Sequence, residues 1–336
     1  MTAGAGHVII GPAEHGVVRF AEQVLAALQH PGPVVRAVSV GALPADWLDS
    51  LRGCASVHLQ YTDALYAPRC EDAAVTFLDL AARLHGAGHR CTVTLHDLPQ
   101  PADGPGLYPR RAKVYRMVAG AADRVVVSSE HESSLLAELG DDEQTCTVIP
   151  LPVDPPDEQL EAGPGDGQVT MLGFVHPGKG HREVLAAMRT LPATHGLVVL
   201  GRAGAGHDDL VTELRAAAGE DGRPLAITGF LPETALHARL HQAGVPVAAH
   251  RNVSASGSIN SWLGAGRRPL VPEGRYAAEL AGRNPGALWT YSPGELPDTL
   301  ALALAEPERT FLTATPVLGP TTAAVATRYA ELWAGP

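Results

Sequence analysis

A lysine set between glycines and a run of serine and glycine are the residues best placed to do chemistry, because each stands where an apolar strand gives way to a helix. Residues 171–182 read MLGFVHPGKGHR directly after a buried apolar run. A Gly-flanked loop at the tip of a parallel strand lets the backbone approach a ligand, and the Lys179 ammonium would there neutralise charge building on a departing diphosphate. The spacing is not that of a Walker loop, and a lysine without a task is the plainer alternative. Residues 251–268 read RNVSASGSINSWLGAGRR and open another helix. Ser256, Gly257 and Ser258 would present successive N–H groups and hydroxyls at its N-terminus, a cradle for an anion that is compatible with ordinary capping. A third loop, GPAEHGVVRF at 11–20, joins the first strand to the first helix. Gly16 would let a diphosphate lie against the backbone there, or the loop is a plain turn. The GxGxxG fingerprint is absent, so a nicotinamide cofactor gains little support.

Histidines supply the second set of candidates. His96 and Asp97 end the strand TVTLHD, His58, Gln60 and Tyr61 end a neighbouring one, and His15 lies in the first loop. With fifteen histidines in the chain, most are expected to be satisfied polar residues, and His96 is the strongest of them. Arg110, Arg111, Lys113 and Arg116 read as the solvated face of a helix, and Glu130 and Glu132 as acidic residues of a helix start. No Asp-x-Asp cluster offers to hold a metal on a diphosphate, so no metal site is expected. Cys54, Cys70, Cys91 and Cys146 are too scattered for zinc or a disulfide framework and read as reduced core residues of a cytoplasmic protein.

The elements that must position these groups alternate between strand and helix. At 336 residues the chain suits two α/β domains, since domains cluster near ~100–200 residues. Apolar runs predict strands at 7–10, 34–38, 56–59, 91–95, 124–127 and 145–149, with helices over 17–28 and 73–85 and one opening at Ser129 through a capping box with Glu132. Residues 150–167 turn to Pro, Gly, Asp and Glu without period and read as an exposed connection. A second alternation then runs from the strand at 169–173 to a pair near 288–305. A closing helical stretch at 321–334 is expected to pack back on the first domain. The domains are therefore 1–150, 151–320 and this returning helix, 321–336. A composition of 45% hydrophobic and 18% charged residues is that of a soluble globular chain. The net charge of −11 argues against nucleic acid as the main partner, and no apolar run approaches the ~20 residues of a membrane span. No signal peptide is visible either.

Read in order, the segments HGVVRFAEQVL, TVTLHDLP, ADRVVVSSEHESSLL, VIPLPVD, MLGFVHPGKGHREVLAAM, LVVLGRAG, ITGFLPETALHARLHQAGV and AGRRPLV resemble the family 4 glycosyltransferases of the GT-B fold. The resemblance covers roughly 11–271. It implies an α/β fold of two Rossmann-like domains facing across a cleft, and a retaining transfer from a nucleotide-diphosphate sugar, UDP or GDP, without an essential metal or separate cofactor. It assigns Lys179 and His96 to catalysis. The donor would be held by Gly16, Gly173, Phe174, Lys179, Arg202, Gly229, Phe230, Leu231, Arg251, Ser256, Gly257, Ser258 and Asn260. The acceptor would meet His15, Gln60, Tyr61, His96 and Asp97.

Two departures stand out. The family commonly has Gly-Arg before the lysine loop, whereas Phe174 follows Gly173 here, so Arg202 or Arg251 is expected to take the arginine's place. The family's spaced pair of glutamates is also missing. Asn252 and Asn260 have that spacing, while alignment backwards from Gly266 puts Ser261 in the second position. A small soluble acceptor is expected, for secondary-metabolite, thiol or envelope-glycan biosynthesis, and a monomer or homodimer. The alternatives are a non-catalytic nucleotide-sugar-binding protein of the same fold, or a two-domain epimerase or phosphorylase. A phosphorylase would be expected to carry a pyridoxal-binding lysine segment, which is not seen.

Overall fold

The computed structural model describes residues 4–140, 145–156, 165–312 and 317–335. The chain forms two compact units, Met1–Pro152 with Pro320–Pro336, and Val153–Gly319. The expected connection at 150–167 lies partly outside the described residues, at 157–164.

The first unit runs β1 (Gly6–Ile10), α1 (Gly16–Ala26), β2 (Val34–Ala37), β3 (Ser56–Tyr61), α2 (Asp63–Tyr66), α3 (Cys70–Gly86), β4 (Arg90–Leu95), α4 (Tyr108–Ala121), β5 (Arg124–Val127), α5 (Glu130–Glu138) and β6 (Cys146–Val148). Its sheet is parallel throughout, in the order β2-β1-β3-β4-β5-β6. A parallel sheet is covered on both faces, so its inner strands are buried nearly throughout, and β4 is buried from Cys91 to Leu95. Helix α1 places Val17, Phe20, Ala21, Val24 and Leu25 on one buried stripe at helical spacing. Helix α5 starts where the Ser129 hydroxyl accepts from Glu132 N at 2.9 Å, while the Glu132 carboxylate accepts from Ser128 N at 2.7 Å. Losing such a cap costs about 1 kcal/mol.

The second unit runs β7 (Val169–Leu172), α6 (His181–Ala187), β8 (Leu197–Leu200), α7 (Asp208–Glu220), β9 (Leu225–Ile227), α8 (Glu233–Gln242), β10 (Val245–Val247), α9 (Gly257–Gly264), β11 (Leu270–Pro272), α10 (Arg275–Arg283), β12 (Trp289–Tyr291) and α11 (Leu296–Ala305). Its parallel sheet has the order β12-β11-β10-β7-β8-β9. The order reverses at β7 and β10 here, and at β1 and β3 in the first unit. Loops leaving the carboxyl ends of such strands diverge and leave a crevice.

The chain then returns to the first unit as α12 (Thr322–Ala334). Val325, Ala326, Tyr329 and Trp333 pack against Ala5, Phe20, Val24, Val126 and Ile149. Burying apolar side chains of this size contributes about 1.5–3 kcal/mol each. Beneath the helix, His58 bonds the hydroxyls of Thr92 at 2.8 Å and Thr94 at 3.0 Å, and Thr94 meets the Tyr329 hydroxyl at 2.8 Å. His58 is therefore a satisfied core residue. Cys54, Cys70 and Cys91 are buried free thiols, and Cys146 is half-buried and also free. Among the described residues, no helix is long and apolar enough to cross a membrane.

Candidate functional site

Two clusters of chemically capable side chains form at the strand ends, one in each unit. In the first, His96 is buried at the end of β4, and its Nε2 lies 2.7 Å from the Gln60 Oε1 at the end of β3. Burial pushes its pKa down to about 4, so the imidazole is neutral. His15 caps α1, its Nδ1 accepting from Val17 N at 3.3 Å, and burial lowers its pKa while Asp97 raises it. Both imidazoles feel the exposed Asp97, whose backbone is the one non-glycine at positive φ (52°) among the described residues.

That corner is held by side chains outside the predicted set. Arg111 donates to the Asp97 carbonyl at 2.6 Å, Tyr115 donates to the His96 carbonyl at 2.7 Å, and the Thr62 hydroxyl donates to the Asp97 carboxylate at 3.0 Å. Arg111 was expected on a solvated helix face. Its side chain is only 12% exposed and is paired with Asp63 at 2.8 Å and Asp103 at 2.6 Å. Arg110, Lys113 and Arg116 are exposed, and Arg110 pairs with Glu71.

Tyr61 is placed differently from the expectation of acceptor contact. Successive strand residues point to opposite faces, so where Gln60 faces His96, Tyr61 turns into the core against Tyr66, Phe77 and Tyr115. It is fully buried there. Gly16 is exposed in the first turn of α1, and a Cβ added to it would meet no protein atom within 4 Å. Packing does not require glycine at that position.

The second cluster sits at the switch point of the other sheet. After β7 the chain passes Gly173 and Phe174 and turns through a short 3₁₀ segment, Pro177–Lys179. Gly180 follows with φ of 80° and lies so close to the end of β10 that an added Cβ would stand 2.0 Å from the Ala249 carbonyl oxygen. Arg251 N donates to the Gly178 carbonyl at 3.1 Å, which ties the same loops together a second time. Lys179 Nζ is thereby brought 3.4 Å from the Nε2 of His250. Around that ring stand the hydroxyls of Ser258, 3.3 Å from Nε2, and Ser256, 3.5 Å from Nδ1. Ser256 also caps α9, accepting from Ile259 N at 3.3 Å.

Burial and the Lys179 charge lower the pKa of His181 to about 4, and burial, Lys179 and His181 hold His250 well below the ordinary histidine range. The lysine ammonium thus sits among neutral imidazoles. Neither His250 nor His181 was singled out from sequence.

The remaining predicted donor residues lie along the same edge. The Arg202 guanidinium, after β8, stands 5.6 Å from the centre of the Phe174 ring. Gly229 N, after β9, donates to the Gly201 carbonyl at 2.9 Å, followed by Phe230, 56% exposed, and Leu231, half-buried against the core of α8 and α9. Arg251 is engaged by Glu183. Gly257 is exposed in the first turn of α9, Asn260 is buried on that helix, and Asn252 and Ser261 are exposed. Gly173, Lys179, Ser256 and Ser258 are thus brought together, whereas Arg251 is turned to an ion pair.

No family model and no curated protein matches this chain. Solved structures do. HepE of Anabaena, in complex with UDP and glucose, is 16% identical, with a TM-score of 0.67 over 98% of this chain and 95% of that one. Sucrose-phosphate synthase from Thermosynechococcus elongatus is 14% identical, with a TM-score of 0.66 over 98% and 94%. AviGT4, a glycosyltransferase involved in avilamycin A biosynthesis, is 15% identical, with a TM-score of 0.61 over 98% and 97%. At these identities the likeness speaks for architecture, and the chain has the α/β GT-B fold, two Rossmann-like units each built on a six-stranded parallel sheet.

Proposed function

We propose that this chain is a glycosyltransferase that moves a sugar from a nucleoside-diphosphate sugar to a small acceptor, with retention at the anomeric carbon. The observation that carries the reading is the Lys179 ammonium 3.4 Å from the His250 ring, which also meets the Ser256 and Ser258 hydroxyls, at the β7/β10 switch point. A cation and fixed donors stabilise a departing diphosphate more than the bound donor, because negative charge grows as the bond to the sugar breaks. UDP is the favoured nucleotide, since HepE, which shares the fold, was solved with UDP and glucose.

In this reading the second unit holds the nucleotide-sugar, with the base near Gly229, Phe230 and Leu231. In the first unit the neutral His96, with Gln60, His15 and Asp97, binds hydroxyls of the acceptor. The acceptor attacks the face from which the diphosphate leaves. The acceptor oxygen bonds to the anomeric carbon as the carbon–phosphate-oxygen bond breaks, and the acceptor's proton passes to the diphosphate. Charge on the leaving group is met by protein groups, so transfer proceeds without a metal.

Purified chain incubated with UDP- and GDP-sugars, with and without a chelator, tests this. Release of nucleoside diphosphate that survives chelation is the expected result. Strict dependence on magnesium overturns the mechanism, and no binding of any nucleotide-sugar overturns the reading. Residues 251–261 contain no carboxylate, which favours one alternative, a nucleotide-sugar-binding protein without transfer. Tight donor binding with no release of diphosphate decides for that alternative.

A further inference from the structure

His250 is the buried group that the proposed chemistry leaves unassigned, and its surroundings determine its protonation pattern. An ammonium can only donate, so the Nε2 atom 3.4 Å from Lys179 Nζ accepts, and the single imidazole proton sits on Nδ1. Nδ1–H then donates to the Ser256 oxygen at 3.5 Å, which also accepts from Ile259 N at 3.3 Å. With both lone pairs of Ser256 engaged, its own proton goes to the Ser258 oxygen at 3.0 Å. The Ser258 proton is shared with Nε2 at 3.3 Å until a better acceptor arrives. The network therefore runs one way, from the α9 backbone and the imidazole towards Ser258, and ends in donors.

The backbone on either side of His250 is fixed to the lysine loop. Ala249 packs on Gly180, and Arg251 N bonds the Gly178 carbonyl. The backbones that carry the ring and the ammonium are therefore tied together at two points.

We propose that His250 is a positioning residue that holds the Lys179 ammonium in place and, through Ser256, orients the Ser258 hydroxyl, so that both present protons to one diphosphate. This rests on the donor-site reading above. The buried ring, with Lys179 and His181 against it, remains neutral and does not compete with the lysine for the anion.

Nitrogen-15 spectra of the imidazoles in the full chain, without nucleotide, test the first half. His250 is expected as the neutral Nδ1–H tautomer with no titration between about pH 5 and pH 8. A neutral Nε2–H ring, or one that titrates in that window, overturns the proposal.

Donor turnover tests the second half. Gln at 250 places its amide oxygen where Nε2 stood and keeps the lysine contact, whereas Asn reaches only the Nδ1 position and keeps the serine contact. H250N is expected to lower kcat on UDP-glucose on the order of tenfold to a hundredfold with little change in KM. H250Q is expected to retain most of the activity. In the K179A background H250N should cost little more, because the lysine contact it removes is already gone and coupled residues are not additive. Equal losses in H250N and H250Q, or a loss in H250N that adds to that of K179A, would show that His250 only packs. An Nδ1–H ring in a protein that neither binds UDP nor acts on UDP-glucose refutes the donor reading instead and leaves the lysine-holding role in place.

Discussion

The two strand-end clusters are built from opposite materials and by opposite means. At the ends of β1, β3 and β4 the groups are neutral imidazoles, an amide and a carboxylate, a mixture of donors and acceptors. At β7 and β10 an ammonium and two hydroxyls surround a neutral imidazole. The first corner is gripped by side chains, since Arg111, Tyr115 and Thr62 hold the His96–Asp97 turn. The second depends on contact between main chains, Gly180 against Ala249. Side-chain changes should therefore tune the first cluster by degrees, whereas a single added methyl at the right place should wreck the second.

The largest expected effect is on chemistry in the second cluster. Lys179→Ala should lower turnover by about a hundredfold or more while the unfolding midpoint hardly moves, because a partly exposed lysine contributes little to folding. Lys179→Arg should restore only part of it, since a planar guanidinium cannot put its charge where the ammonium was. Normal turnover in Lys179→Ala would erase the contrast between the two clusters.

Next comes the backbone contact itself. Gly180→Ala adds a Cβ 2.0 Å from a carbonyl oxygen at a residue with φ of 80°. It should lower the unfolding free energy in urea by more than about 2 kcal/mol. An unchanged urea midpoint would mean that the loop is not held as described.

Acidification separates the clusters from the bulk of the chain. His7 and His96 in the first unit and His181 in the second have pKa values lowered from 6.5 to about 4, so below 6.5 the unfolded chain binds protons that the folded chain does not. Stability should be level above pH 6.5 and fall as the pH drops towards 4. His96→Gln should make that fall shallower, as followed by thermal unfolding across the range. A profile unaltered by the substitution would show that His96 is not the buried neutral base described.

The smallest effect is expected at Gly16. Gly16→Ala should leave stability within about 1 kcal/mol of wild type or raise it, because the added methyl meets nothing. Turnover should fall nonetheless if a diphosphate lies against that backbone. Unchanged kinetics would return the loop to the status of a plain turn.

Most of the architecture was legible because strands of parallel sheets announce themselves. The runs at 91–95, 124–127 and 197–200 are rich in apolar and β-branched residues and appear as β4, β5 and β8. Helix α10 was not anticipated, although Tyr276, Ala277 and Leu280 stand at helical spacing on its buried face. The histidine of the second cluster was invisible for another reason. His250 looks like the polar end of an apolar run, and its meaning comes from a lysine 71 residues away. Tyr61 was misplaced because proximity to a strand end was weighed above the alternation of faces, and Arg111 because its three neighbouring cations do lie in solvent.

The return of α12 makes the first unit discontinuous, and that has a consequence during synthesis. His7, His58, Phe20 and Val24 pack against Tyr329 and Trp333, which leave the ribosome after the whole of Val153–Gly319. At ~5–20 residues per second the nascent first unit waits about ten to thirty seconds with that apolar face open. Chaperone demand should therefore concentrate in that interval, and release of a chain stopped before Thr321 should yield an aggregation-prone species despite an intact six-stranded sheet.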